Sequence, residues 1–163
     1  MTLSFAIYAI SLLTFTYGTF LEFYIVSDTT CWIVGPTSTG SNAIINPTIS
    51  GWNTIISNAE WIWDISGNTA SGNGTVTKFF FIAGTPASGT FTIAADDYYT
   101  TYLNDKEANC KDTVGGSFVS TTGKSCNVLS YLISGLNKLV VNVQNSSGGA
   151  AVKFRLDATS NFS

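Results

Sequence analysis

The stretch VTKFFFIAGTPASGTFTIAADD, residues 76–97, decides the fold. It holds two runs rich in β-branched and aromatic residues, Val76 to Ile82 and Gly89 to Ala95, on either side of Gly84-Thr85-Pro86. Such residues fit a pleated surface and Gly and Pro punctuate strands, so the stretch reads as two strands and a turn, closing on the adjacent acids Asp96 and Asp97. The same grammar repeats on both sides. Glu60 to Ile65, Tyr99 to Leu103, Ser117 to Ser120, Lys138 to Gln144 and Ala150 to Leu156 read as strands. Breakers such as Gly67-Asn68, Gly115-Gly116 and Ser147-Gly148-Gly149 stand between them, and Val128 to Leu132 reads as one helical turn. Many short strands with turns between them predict an all-β fold, an antiparallel β-sandwich. Period-two placement puts Phe79, Phe81, Phe91, Ile93, Val141, Val143 and Phe154 in its interior.

Composition narrows what such a sandwich does. The 163 residues suffice for one domain with a buried core. A net charge of −3 and the lack of any Lys/Arg run exclude a nucleic-acid partner. The chain has no His, which removes Ser-His-Asp and Cys-His catalysis and most zinc chemistry together. Hydrolysis would rest on carboxylates alone, among Glu60, Asp64, Asp96, Asp97, Glu107, Asp112 and Asp157, and their spacing selects no acid–base pair. The protein therefore reads as a non-enzyme.

Residues 1–18, MTLSFAIYAISLLTFTYG, form an uncharged apolar run that reads as a signal peptide or as a retained hydrophobic segment, with a single sandwich domain over 19–163. A membrane enters only if that segment stays as an anchor. The Thr and aromatic content from Thr14 to Tyr24 favours a strand for the second half of the apolar stretch, which would pair with a neighbouring sandwich if retained. Export makes disulfides the default, and Cys110 with Cys126 brackets one Gly- and Thr-rich stretch, so these two are expected to pair. Cys31 is then left either as a buried thiol or as a link between chains. Sequons at Asn73, Asn145 and Asn161 offer glycosylation acceptors.

An ordered set of motifs runs from Ala59-Glu60-Trp61-Ile62-Trp63-Asp64 through Val76-Thr77-Lys78-Phe79-Phe80, Ala94-Ala95-Asp96-Asp97 and Tyr102-Leu103-Asn104. It continues with Asn127 to Leu132, Gly135 to Val140 and a closing strand ending at Asp157. In this order the segment resembles the galactose-binding-like jelly roll of secreted glycoside-active and surface proteins. It is similar, more weakly, to the lectin-like domains of yeast adhesins and bacterial toxins, in which an adjacent aspartate pair helps hold Ca²⁺. That resemblance implies a jelly-roll sandwich and makes Asp96 and Asp97 candidate calcium ligands, hard oxygen donors for a hard cation. Tyr98 stands where Gly is common in that pattern.

The residues themselves leave both a binding and a structural reading for each candidate. Trp61 and Trp63 alternate with Ile62, which on a strand puts both indoles on one side, either as a sugar-stacking platform or as core. Tyr98, Tyr99 and Tyr102 make a second aromatic group beside the acidic pair. Asp96 and Asp97 either bind metal or hydrogen-bond a turn. Low charge, the odd Cys31 and the apolar N-terminus point first to a non-catalytic extracellular or cell-surface structural or adhesive protein, a homo-oligomer or filament subunit. The alternative is a glycan-binding module assisted by Ca²⁺, and fold likeness alone does not choose between them.

Overall fold

A computed structural model describes residues 19–67 and 71–162. Twelve strands pair antiparallel throughout. They are β1 Thr19–Val26, β2 Trp32–Val34, β3 Ser41–Asn42, β4 Ile44–Ile45, β5 Ile62–Trp63, β6 Gly72–Ile82, β7 Thr85–Asp96, β8 Tyr98–Leu103, β9 Lys106–Asp112, β10 Lys124–Asn127, β11 Gly135–Asn145 and β12 Ala151–Phe162. The first sheet runs β10-β7-β12-β5-β4 with β1 also paired to β12, and the second runs β3-β2-β6-β11-β8-β9. The expected all-β antiparallel sandwich is what forms.

Between the sheets lies one continuous core, in which Phe91, Ile93, Val141, Val143 and Phe154 are buried as their alternation requires. Phe79 and Phe81 are not in it. They are 60% and 69% exposed, and Val76, Phe80 and Ile82 point inward instead. Three consecutive Phe residues are apolar in either phase, so the run does not fix its own register. The inward phase also carries Lys78, which discourages the correct choice. Its ammonium escapes the core by reaching the carbonyl of Val26 and the carboxylate of Asp28, at 3.2 and 2.7 Å.

Other departures have equally local causes. Ser117 to Ser120 is not a strand but a 3-10 turn over Ser117–Val119, entered through Gly115 and Gly116 at φ of 82° and 90°. The Ser117 hydroxyl then donates to the Ala95 carbonyl and accepts from the Ala95 amide, fixing the turn on β7. The predicted strand from Glu60 to Ile65 shrinks to Ile62–Trp63. The helical turn is present as a 3-10 turn at Leu129–Tyr131.

Cys110 and Cys126 are bonded, with Cα atoms 5.8 Å apart. Since β9 edges the second sheet and β10 edges the first, the bond staples the two sheets along one side of the sandwich. Cys31 is a free thiol with no exposed surface, so it does not reach another chain while the sandwich is closed. Burial pushes its thiol pKa up. Thr19–Val26 is a strand as its composition favours, but its partner is β12 of the same chain rather than a neighbouring sandwich. The readings made for residues 1–18 lie outside the described residues. Among those described, no helix is long and apolar enough to cross a membrane.

Candidate functional site

The outer face of the second sheet carries a depression of about 630 Å³. Its walls follow from strand alternation on β6, β11 and β8. On β8, Tyr98, Thr100 and Tyr102 face out while Tyr99, Thr101 and Leu103 face the core. Asn142 and Gln144 on β11 stand opposite Thr100 and Tyr98, and opposite Thr75 and Asn73 on the other side. A tyrosine ring thus meets three side-chain amides and two hydroxyls on one pleated surface, with Asp112 at the rim. Asn142 accepts a hydrogen bond from Thr75 through Oδ1 at 3.1 Å, leaving its amide nitrogen as the donor available to a ligand. Such a mixture of one flat apolar face and convergent neutral donors and acceptors suits a polyhydroxylated ligand.

The floor of the depression is built from inside. A Cβ on Gly74 would lie 2.6 Å from the ring of Trp63, so only glycine lets β6 pass over that indole. Trp63 belongs to the main core and is fully buried, so of its two readings the core one describes it and the sugar platform does not. Trp61 is also buried, in a separate small cluster with Trp52, Ala94 and Ala151 on the outer side of the first sheet. The two indoles therefore do not share a face, because only Ile62–Trp63 is regular strand and the chain before it turns over the sheet. Tyr99 is likewise interior, with its hydroxyl buried and unpartnered among the described residues. Of the candidate aromatics, Tyr98 and Tyr102 remain at the surface, both half-buried.

Asp96 and Asp97 occupy the hairpin at one end of this face, joined by a cis peptide. Asp96 is buried, and its Oδ2 accepts from Trp52 Nε1 at 2.9 Å. Burial, then a hydrogen bond to Asp97, raises its pKa to about 6. For Asp97, burial opposes ionisation, but bonds from the Ser146 hydroxyl at 2.6 Å and amide at 2.9 Å outweigh it and its pKa is lowered. The Asp97 amide donates to the Gln144 carbonyl at 3.1 Å, which ties the acidic pair to the wall of the depression.

Asn145 completes this corner. It is 3% exposed and gives its amide hydrogens to the carbonyls of Asp96 and Gly149. A glycan on this nitrogen would displace both bonds. The Asn145 Oδ1 is buried with no partner among the described residues. No group of three or more His, Cys, Asp or Glu side chains suited to a metal exists among the described residues. Asn73 is exposed on β6 within the depression, and Asn161 is half-buried on β12.

Sequence reasoning missed Trp32, which is 49% exposed on the same outer face. It stands opposite Thr77, which stands opposite Val140, which stands opposite Tyr102, so one row crosses four strands from Trp32 to Tyr102. Its alternation with buried Ile33 was the available signal.

No family model matches the chain, and no curated protein matches it in sequence. Solved structures do. The chain is similar to an α-L-rhamnosidase of Streptomyces avermitilis complexed with L-rhamnose, with a TM-score of 0.56 and 18% identity over 82% of this chain and 13% of that one. It is similar to a β-glucuronidase of Bacteroides uniformis at TM-score 0.51 and 14% identity, over 85% of this chain and 18% of the enzyme. It is similar to a family 35 carbohydrate-binding module from Clostridium thermocellum at TM-score 0.50 and 14% identity, covering 82% of this chain and 96% of the module. Most of this chain thus matches a small part of each enzyme but nearly all of the module, and at these identities the likeness is one of fold. The chain shares the β-sandwich fold of these domains, which is consistent with the galactose-binding-like jelly roll that its motifs resemble.

Proposed function

We propose that this protein is a non-catalytic glycan-binding module whose ligand lies in the depression on the outer face of the second sheet. The observation that carries this reading is the placement of Tyr98 with Asn73, Asn142 and Gln144 around about 630 Å³ of open space. A pyranose offers an apolar face to a ring and a rim of hydroxyls to amides, and this wall supplies both. The similar module of Clostridium thermocellum is by name a carbohydrate-binding one, and nearly its whole length aligns. The reading is non-catalytic because the acids near the depression are engaged elsewhere. Asp112 Oδ1 accepts the amides of Val114 and Gly115, and Asp96 and Asp97 bond to each other.

The orphaned Asn145 Oδ1 is what supports calcium at the acidic corner, where the ion would replace the proton shared between Asp96 and Asp97. Asp96, Asp97 and Asn145 would hold it. Bound there, it would cancel the repulsion between two ionised carboxylates and offer a coordination position to sugar hydroxyls. A glycan on Asn73 would stand in the depression itself, so glycosylation at that sequon and ligand binding exclude one another.

One observation favours this reading over a filament subunit linked through its odd cysteine: Cys31 is enclosed. The disulfide and the apolar run of residues 1–18 support an exported, extracellular protein with that run as its leader. The test is a screen of immobilised neutral and acidic polysaccharides, run in calcium and in chelator. Retention of the wild-type protein on at least one glycan, lost in Tyr98→Ala and Gln144→Ala, is expected. Retention unchanged in both variants contradicts the assigned site.

A further inference from the structure

The depression does not end at Tyr98. Thr100 and Tyr102 continue along β8 on the same face, and four residues of strand separate the two rings by about 13 Å along the chain direction. A second depression of about 240 Å³ is lined by Tyr102, Val140, Asn142, Lys138 and Asp105. Asn142 lines both, so they adjoin and together make one trough running with β8 and β11.

The far part of this trough is bracketed. The row Trp32, Thr77, Val140, Tyr102 places an indole and a phenol about 14 Å apart across three strand spacings, with only short side chains between them. A low floor flanked by two rings accepts a sugar ring without a wall to stop the chain. The charge along the trough is equally telling. Lys138 is taken up by Asp105 at 2.6 Å, Asp112 lines the other end, and Asp97 adjoins that end through its bond to the Gln144 carbonyl. No unpaired cation among the described lining residues waits for a carboxylate or sulfate, and the acids would repel one.

We infer that the trough binds the interior of a neutral, linear polysaccharide that runs along β8, with one sugar against Tyr98, another against Tyr102 and the Asn142 amide between them. This rests on the glycan-binding reading and specifies its ligand: several consecutive sugars of an uncharged chain, not one terminal sugar and not a uronate or sulfated chain. Tyr98 and Tyr102 then act as two halves of one site linked by the ligand, so affinity should climb with chain length until both rings are covered.

The experiment is calorimetric titration of the whole protein with neutral gluco-, manno- and xylo-oligosaccharides from monosaccharide to hexasaccharide, with polygalacturonate as the acidic probe. Affinity is expected to rise about tenfold or more between disaccharide and hexasaccharide in one of the series and then level. Tyr102→Ala should cost about tenfold for the hexasaccharide while leaving the disaccharide within about twofold, and Tyr102→Phe, which keeps the ring, should retain hexasaccharide affinity. Melting curves matching wild type establish that the variants are folded. A monosaccharide that binds as well as its hexamer, hexasaccharide affinity indifferent to Tyr102→Ala, or preference for polygalacturonate overturns the inference while leaving glycan binding standing. Failure to bind any of these probes or any polysaccharide in the screen removes the glycan-binding reading, and this inference falls with it.

Discussion

The two outer faces of this sandwich treat their aromatic residues in opposite ways. On the first sheet, the segment between β4 and β5 folds back so that Trp52 stacks on Trp61 at 4.7 Å and bonds Asp96, while Lys153 sits 5.9 Å from the Trp61 ring. On the second sheet the chain comes against these rings only through glycines, Gly40 beside the Trp32 indole and Gly115 beside Tyr98, and Trp32, Tyr98 and Tyr102 stay at least partly open to solvent. Strand alternation chooses the side on which a ring emerges. What the chain lays over that side chooses whether the ring becomes core or contact surface. Trp61 and Tyr98 thus both lie on outer sides of the sandwich, yet Trp61 is buried against Trp52 while Tyr98 keeps exposed surface.

If that contrast is correct, stability should depend on the covered and interior tryptophans and binding on the open ones. The largest expected effect is Trp63→Ala, which empties the space under Gly74 and should cost about 3–5 kcal/mol in denaturant unfolding. Loss of less than about 1 kcal/mol would mean that the indole is not packed as described. Next comes Cys110→Ser with Cys126→Ser, which releases a link across 16 residues and should cost about 3 kcal/mol on the chain-entropy account, read from the same unfolding curves. Peptide mapping without reductant should find these two cysteines joined and Cys31 free.

The acidic corner sharpens the comparison through pH. Asp96 holds its proton more tightly folded than unfolded, its pKa standing at about 6 against an ordinary 3.8. Its contribution to stability is complete below about pH 4 and is lost as pH rises through 6. Asp97, held below the ordinary value, contributes above about pH 4 and loses that contribution as pH falls through its folded value. In chelator the melting temperature should therefore fall between pH 5 and pH 7.5, and Asp96→Asn should flatten that fall. Calcium should raise the melting temperature more at pH 7.5 than at pH 5, since binding needs both carboxylates ionised and stabilises only the native state. Equal melting curves with calcium and chelator at pH 7.5 would return the pair to a hydrogen-bonded turn. The smallest effect is reserved for Trp32→Ala, half-exposed on the open face, which should leave stability within about 0.5 kcal/mol and show itself only in binding. A larger loss in the unfolding curve would mean that this ring is structural.

Much of the architecture was legible in the sequence because turn residues and β-branched runs carry it locally. The phase of β6 was not, because Phe79, Phe80 and Phe81 satisfy either register and Lys78 lies in the buried one. The edge strands β9 and β10, KEANCKD and KSCN, were missed because they are polar and owe their existence to pairing with β8 and β7. Of the proposed site, Tyr98, Tyr102 and the acidic pair were singled out in the sequence, the pair as candidate ligands through the resemblance. Asn142, Gln144 and Trp32 were not, since neighbours across strands are distant in sequence and an amide on a strand looks like any solvated residue. The same distance hid the difference between Trp61 and Trp63, whose fates depend on Trp52 and on Gly74.

The account's central claim, that the open face of the second sheet is a glycan site, is tested most directly by nitrogen–proton correlation spectra of the labelled protein titrated with the polysaccharide fragment that binds best in the screen. The expected result is a set of shifted amides confined to Asn73–Thr75, Tyr98–Tyr102 and Asn142–Ser146, with the amides around Trp52 and Trp61 unmoved. Shifts centred on the covered face, or a bound glycan that leaves the amides of β8 and β11 where they were, would contradict it.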